Sequence, residues 1–334
     1  MIRPRVASSF ALAVALVLPA ARPALAEWLS GHEAIMGTEV RVELWHEDPD
    51  AGRAGIAAVM EEMRRIDRLM STYKPESELS RLNREAARGP VRVSRELFDL
   101  ITRALEFSRL TGGAFDVTYS SVGYLYDYPR GVAPSEEEIA RRLDAIDYRH
   151  VVLDAATTTV RYARAGVRID LGGIAKGHAV DRSIALLAGR GVAAAIVTAG
   201  GDSRVLGDHR GRPWMIGIRD PRRREDVVAV LPLVNAAIST SGDYERYFER
   251  DGVRYHHILD PKTGKSARGL RSVSILGPDS TTTDALSTSV FVLGAERGMR
   301  LVERMPGVDA LLIDDSGRLR FTEGLRKAIE GRDR

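Results

Sequence analysis

Near residue 172 the chain changes from one backbone period to another, and that change limits the folds open to it. Val167, Ile169 and Leu171 alternate as in a half-buried strand. Ala179, Val180, Ser183, Ile184 and Leu187 then fall on one face of a helix. Between them stands Asp170-Leu171-Gly172-Gly173-Ile174-Ala175-Lys176-Gly177, so a strand enters a glycine turn and the turn opens a helix. Glycine lets a backbone come close to a ligand, and a helix start offers free N–H groups to anions. With one acid, Asp170, and one base, Lys176, the turn suits a phosphate or a metal–phosphate group. A purely structural turn fits the same stretch. The spacing is neither G-x-G-x-x-G nor a P-loop, so the standard nucleotide motifs do not apply.

The first 26 residues are a different kind of sequence. Arg3 and Arg5, the apolar run 10–18 and the small-x-small site Ala24-Leu25-Ala26 read as a secretory signal, with the mature chain starting near Glu27. The apolar run is short for a membrane span. This leader holds three of the 49 Lys and Arg residues, at Arg3, Arg5 and Arg22, and none of the 46 Asp and Glu residues. The mature chain is therefore formally neutral, and nothing in it supports a nucleic-acid partner. There is no cysteine, which rules out disulfides, a Cys metal site and a lipid anchor on an N-terminal Cys. Stability must come from the core, and 334 residues suffice for one large domain or two ordinary ones.

Residues 33–46 read as a strand, 51–70 as a Met-rich amphipathic helix and 77–82 as one more short turn. A second amphipathic helix spans 95–110 and closes on Thr111-Gly112-Gly113. Residues 119–134, rich in Tyr, Gly and Pro, read as a surface loop. Ser135 with Glu138 forms a capping box. Strands are expected at 151–153, 158–162, 167–171, 193–197, 214–219, 227–234, 237–240, 272–276, 308–313 and 319–321. Thr281 to Thr283 can cap a helix that holds Asp284 and Thr288. Helices mixed with antiparallel hairpins favour α+β over a doubly wound parallel sheet.

Asp284 and Thr288 are four apart, so on a helix they share a face. They are hard oxygen donors that suit Mg²⁺ or Ca²⁺; a capping Asp and a solvent-facing Thr would show the same spacing. His256 and His257 stand at a strand end, where alternation turns them to opposite faces. One can line a cleft as a general base, with an ordinary pKa near ~6.5, while the other faces out. Tyr73 and Phe115 each follow a helix end in a polar stretch. Aromatics so placed either stack on a planar ligand or pack against the core.

Eight blocks occur in one order: Met36-Gly37-Thr38, Ser71-Thr72-Tyr73, Gly113-Ala114-Phe115-Asp116, the glycine turn, Gly200-Gly201-Asp202, Ser241-Gly242-Asp243-Tyr244, His257 to Gly264, and Thr283 to Thr288. Over roughly residues 34–321 this series closely resembles the ApbE family of FAD:protein FMN transferases. The resemblance implies an exported protein, with a duplicated T-fold-like α+β architecture and its active site in the cleft between the two halves. It implies FAD as substrate, Mg²⁺ as cofactor, and transfer of FMN to a threonine hydroxyl of an acceptor flavoprotein with release of AMP. FAD contacts would fall on Met36, Tyr73, Ala114, Phe115, Asp116, Asp170, Lys176 and Ile258. Metal ligands would fall on Asp284, Thr288 and the carbonyl of Gly173, and the base would be His257. The implied acceptor is a redox-complex subunit or reductase with a Ser/Thr-Gly-x-Thr-like site. An Mg²⁺-dependent FAD pyrophosphatase giving FMN and AMP would use the same residues, because water can replace the threonine. Many relatives are lipoproteins; without the Cys, this chain is expected free in the periplasm or held only by its partner.

Overall fold

The structure is a computed structural model, and it describes residues 26–223 and 225–330. Residues 1–25, which hold nearly all of the expected signal, lie outside the described residues. Eight strands form the main sheet: β1 (Glu27–Ile35), β2 (Thr38–His46), β3 (Ala194–Ala199), β4 (Asp202–Leu206), β5 (Ala237–Gly242), β6 (Leu270–Gly277), β7 (Asp309–Asp314) and β8 (Leu319–Phe321). They lie side by side in that order, each pair antiparallel. The helices that bear on the core and the site are α1 (Pro49–Met70), α2 (Glu78–Glu85), α3 (Arg95–Leu110), α4 (Glu136–Leu143), α5 (Ala175–Gly189), α6 (Ser280–Leu293) and α7 (Ala295–Val302); the short helices Ser120–Gly123 and Glu323–Glu330 complete the α-helices among the described residues. The main-sheet strands follow one pattern twice: two strands, a helical stretch, two strands. The fold is α+β, as the hairpins indicate.

Alternation explains the layers. Val40, Val42 and Leu44 of β2 are buried, while Glu39 and Arg41 are exposed. The buried side packs on Val59, Met63 and Ile66 of α1 and on Val180, Ile184 and Leu187 of α5. The methionines of α1 are core residues. A two-stranded hairpin, Trp214–Arg219 with Val227–Leu233, covers the other side of the sheet through Trp214, Ile218, Leu231 and Leu233.

Several expectations need correction. Residues 33–46 are two strands, β1 and β2, joined at Met36-Gly37, where φ is +55° and +68°. The first strand lies at the sheet edge and buries only Ile35 fully, so it shows little apolar alternation to read. Residues 167–171 are extended and bury Val167, Ile169 and Leu171, yet they join no sheet. Apart from one backbone bond to another segment, from Asp170 N to Val117 O at 2.9 Å, side chains take the place of a strand partner. Asn83 accepts from Ile169 N and donates to Ile169 O, both at 2.9 Å, and Ser121 Oγ accepts from Arg168 N at 3.0 Å. The segment 119–134 is a surface loop only in part: Tyr124, Pro129, Arg130 and Val132 are exposed, but the rest is packed down. Val122 and Tyr126 are buried with Ile139 and Leu259, and the Tyr126 hydroxyl donates to Gly264 O at 2.9 Å. The cap of α6 is Asp279, which accepts from Thr282 N at 2.8 Å. The turn expected at 77–82 is the two-turn helix α2, capped by Ser77.

α5 and α6 meet at Gly177. A Cβ there would lie 2.2 Å from Ser280 O and 2.9 Å from Asp284 Cβ. Gly to Ala inside a helix ordinarily helps by about 1 kcal/mol. Here the obstacle is backbone, so overpacking wins. Gly177→Ala is expected to destabilise the protein by about 1–3 kcal/mol. Chemical denaturation checks this, and an unchanged midpoint would refute the close crossing.

Candidate active site

The N-terminal end of α5 and the middle of α6 open onto a cleft of about 590 Å³. All twelve residues expected at the site line it: Met36, Tyr73, Ala114, Phe115, Asp116, Asp170, Gly173, Lys176, His257, Ile258, Asp284 and Thr288. They come from the β1–β2 turn, the segment after α1, the segment after α3, the glycine turn, the segment after the hairpin Tyr247–Arg250/Val253–His256, and α6. The two halves of the chain thus both contribute.

The floor of the cleft holds Lys176 and Asp284, with the buried carboxylate of Asp202 behind them. Lys176 Nζ lies 2.6 Å from Asp202 Oδ2 and 3.5 Å from Asp284 Oδ1. Burial works against the Lys176 charge, but Asp202 and Asp284 outweigh it and hold the pKa above its usual value. Burial first, then the charge of Asp202, pushes the Asp284 carboxyl up to about 7, against the pull of Lys176 and the Gly177 amide. One ammonium does not balance two buried carboxylates, and a second cation would relieve the excess. Thr288 stands one helical turn from Asp284. The Gly173 backbone comes close to Thr288: a Cβ on Gly173 would sit 3.2 Å from Thr288 Oγ1. A carboxylate, a hydroxyl and a nearby backbone carbonyl are the hard oxygen donors that Mg²⁺ takes, so these residues fit the ion. Among the described residues no three His, Cys, Asp or Glu side chains converge as a metal cluster.

His257 lies one residue past the strand Val253–His256, and its backbone N–H donates to Arg246 O at 3.2 Å. Its Nδ1 is buried with no hydrogen-bond partner. Burial first, then the charges of Arg246, His256 and Lys176, holds its pKa well below 6.5, so the ring is neutral at pH 7. His256 does not face out as expected. It is buried, with Nε2 2.8 Å from Ala267 O and its ring edge-on to Phe291. Alternation does separate the two histidines, but the second side is core rather than solvent.

The remaining residues divide by how free they are. Tyr73 is 84% exposed, an open ring at the mouth. Phe115 is buried edge-on to Phe107 and still lines the cleft, so it serves core and cleft together. Asp170 accepts from Thr72 Oγ1 at 2.7 Å, Gly172 N at 2.7 Å and Tyr119 OH at 3.2 Å. The Asp116 carboxylate is taken up internally, by Thr118 N, Thr118 Oγ1 and Tyr148 N. Its part is to shape the wall next to Phe115.

Two residues escaped the sequence reading as individuals. Asp202 belongs to a quoted block, yet nothing in its spacing foretold the contact with Lys176. Arg246, two residues past the Ser241–Tyr244 block, also lines the cleft. Among the described residues its side chain has no ion pair, whereas Lys74 is paired with Asp67 and Lys176 with two acids.

No helix among the described residues is long and apolar enough to cross a membrane. The sequence profile of the ApbE family matches residues 36–312. A FAD:protein FMN transferase of Treponema pallidum (strain Nichols) is 38% identical, over 88% of this chain and 86% of its own length. One of Klebsiella pneumoniae (strain 342) is 32% identical, over 84% and 87%. The crystal structure of the ApbE protein of Thermotoga maritima superposes with a TM-score of 0.83 at 38% identity, covering 90% of this chain and 98% of that one. The flavin transferase ApbE of Vibrio cholerae gives 0.80 at 30% identity, covering 90% and 99%. With the profile spanning most of its length and the solved members sharing its fold, the chain belongs to the ApbE family.

Proposed function

We propose that this chain is a FAD:protein FMN transferase that moves FMN from FAD to a threonine hydroxyl of an exported acceptor flavoprotein, with Mg²⁺ as cofactor. The carrying observation is one cleft that joins a neutral histidine with an unpartnered nitrogen to a buried acid pair short of one positive charge. Asp284, Thr288 and the Gly173 carbonyl would hold the metal. When bound, Mg²⁺ supplies Lewis-acid stabilisation of charge on the pyrophosphate and on departing AMP. Arg246 is the cation left free for the phosphates, since Lys176 is committed to Asp202 and Asp284. Tyr73 and Phe115 offer ring faces to the flat parts of FAD, with Met36, Ala114 and Ile258 beside them. Asp116 and Asp170 hold the walls to either side.

In the reaction the threonine oxygen bonds to the FMN phosphorus, and the bridging oxygen leaves with AMP. His257 accepts the threonine proton. Positioning of the acceptor supplies an effective concentration that bulk water cannot match in orientation. Hydrolysis would gain from a closed site. The segment 119–134, whose first residue Tyr119 lines the cleft, is packed down through Val122 and Tyr126 and does not otherwise line the cleft, an arrangement that suits entry of a protein loop. The leader motivates a periplasmic location, and the acceptor is expected to carry a Ser/Thr-Gly-x-Thr-like site.

The test supplies FAD, Mg²⁺ and a threonine-containing acceptor. The expected result is in-gel flavin fluorescence on the acceptor, a mass gain of one FMN, and AMP released in step. FMN and AMP freed at the same rate with or without acceptor, and no labelled acceptor, would favour the pyrophosphatase.

A further inference from the structure

α5 and α6 cap each other. From α6, Asp284 Oδ2 accepts the N–H of Gly177 in the first turn of α5 at 3.0 Å. From α5, Asp181 reaches the start of α6: Oδ1 accepts from Ser280 N at 2.8 Å, and Oδ2 from Thr281 N at 2.8 Å and Thr281 Oγ1 at 2.5 Å. Arg204 from β4 holds the same carboxylate, with Nη1 2.7 Å from Oδ1. The missing Cβ of Gly177 lets the two helix ends close to this distance.

The two caps on α6 differ in what they can fix. Asp279 precedes the helix and accepts from Thr282 N; its one link to another element among the described residues is Arg103 of α3, at 3.1 Å, so it does not set α6 against α5. Asp181 belongs to another element. Its two oxygens take consecutive N–H groups, which opposes both sliding and rotation of α6 against α5. α5 follows directly on the glycine turn that carries Gly173, and α6 carries Asp284 and Thr288. β5 also ties α6 to the sheet, through Ser239 to Thr283 and Ser241 to Ser287, but the contact between α5 and α6 is the one that joins the glycine turn directly to the helix carrying Asp284 and Thr288.

We propose that Asp181 is a positioning residue for the metal site: it sets the register of α6 against the glycine turn, and through that register the affinity for a divalent cation. This rests on the reading that Asp284, Thr288 and Gly173 hold the cation. Asp181 itself stays outside the cleft lining.

The test uses Mn²⁺ as the probe, with free Mn²⁺ counted by electron paramagnetic resonance in the full mature chain. Asp181→Asn is expected to weaken Mn²⁺ binding about tenfold, the lower end of what loss of a supporting contact costs a metal site. FAD affinity should stay within about twofold, and turnover should return toward that of the parent at saturating Mg²⁺, as an affinity defect requires. Asp279→Ala is the control, since it removes a helix cap and the Arg103 pair with α3 without touching the contact between α5 and α6. It should lower the melting temperature and leave Mn²⁺ affinity unchanged. The milder Thr281→Val removes one of the Asp181 bonds and should fall between, which keeps the test open if Asp181→Asn folds poorly. Parent-like Mn²⁺ affinity in both Asp181→Asn and Thr281→Val, or equal weakening in Asp279→Ala, would overturn the proposal. Asp284→Asn separates the two readings: if it still binds Mn²⁺ as the parent does, the metal site itself is wrong; if it does not while Asp181→Asn does, only the positioning role fails.

Discussion

His257→Ala is expected to transfer FMN about 10²–10⁴-fold more slowly than the parent while binding FAD about as well, the range for loss of a general base. The base acts on the acceptor hydroxyl, which is absent when FAD binds alone. Its chemistry requires a neutral ring at working pH. Burial and the charges of Arg246, His256 and Lys176 provide that by holding the pKa well below 6.5. At saturating Mg²⁺ the acid limb of kcat/KM should therefore fall below pH 6.5, because that ratio reports groups of the free enzyme. Single-turnover transfer from preformed enzyme–FAD complex gives the cleanest measure. His256→Ala is the companion variant. That ring packs on Phe291 and meets the Ala267 carbonyl, so its loss should lower the melting temperature and spare the chemical step. A crippled His256→Ala beside a near-normal His257→Ala would reverse the assignment.

What could be read from residues alone follows the range of the forces involved. α3 was legible to its ends because its apolar period and the Gly112-Gly113 exit are local. The Ser135–Glu138 box was legible for the same reason. Residues 167–171 show where locality runs out. Their alternation reports burial, and burial is what the structure has, but strand membership depends on a partner. The side-chain partners are Asn83 and Ser121, which lie 86 and 47 positions away along the chain. The site followed the same rule. Each block marked its own residues, and all twelve named positions line one cleft. The links between blocks had no signature: Lys176 with Asp202 and Asp284, or Asp181 with the start of α6. The free Arg246 is visible only once the partners of every other cleft cation are known.

The second large effect is expected at Asp284, and it separates stability from function. Asp284→Asn should abolish the Mg²⁺-dependent rise in melting temperature and reduce transfer to the background seen without metal. The apoprotein should be no less stable for it at pH 8. In the metal-free fold, burial and Asp202 raise the Asp284 carboxyl to about 7, from an ordinary value of 3.8. An acid whose folded pKa exceeds its unfolded one binds more protons when folded, so its contribution to stability falls as pH rises from about 4 to about 7. Above that window the ionised group is a standing cost to the empty protein. A bound cation removes the cost by binding the ionised form, and the stabilisation grows with its concentration over its dissociation constant. Asparagine keeps the shape and an acceptor for Gly177 N–H but carries no charge, so it removes the cost and the cation's reason to bind together. Differential scanning fluorimetry of parent and variant, each at pH 5 and pH 8 with and without Mg²⁺, reads all of this at once. A variant apoprotein that melts well below the parent at pH 8 would mean the carboxylate serves the fold through Lys176 and Gly177. A retained Mg²⁺ shift would place the ion elsewhere.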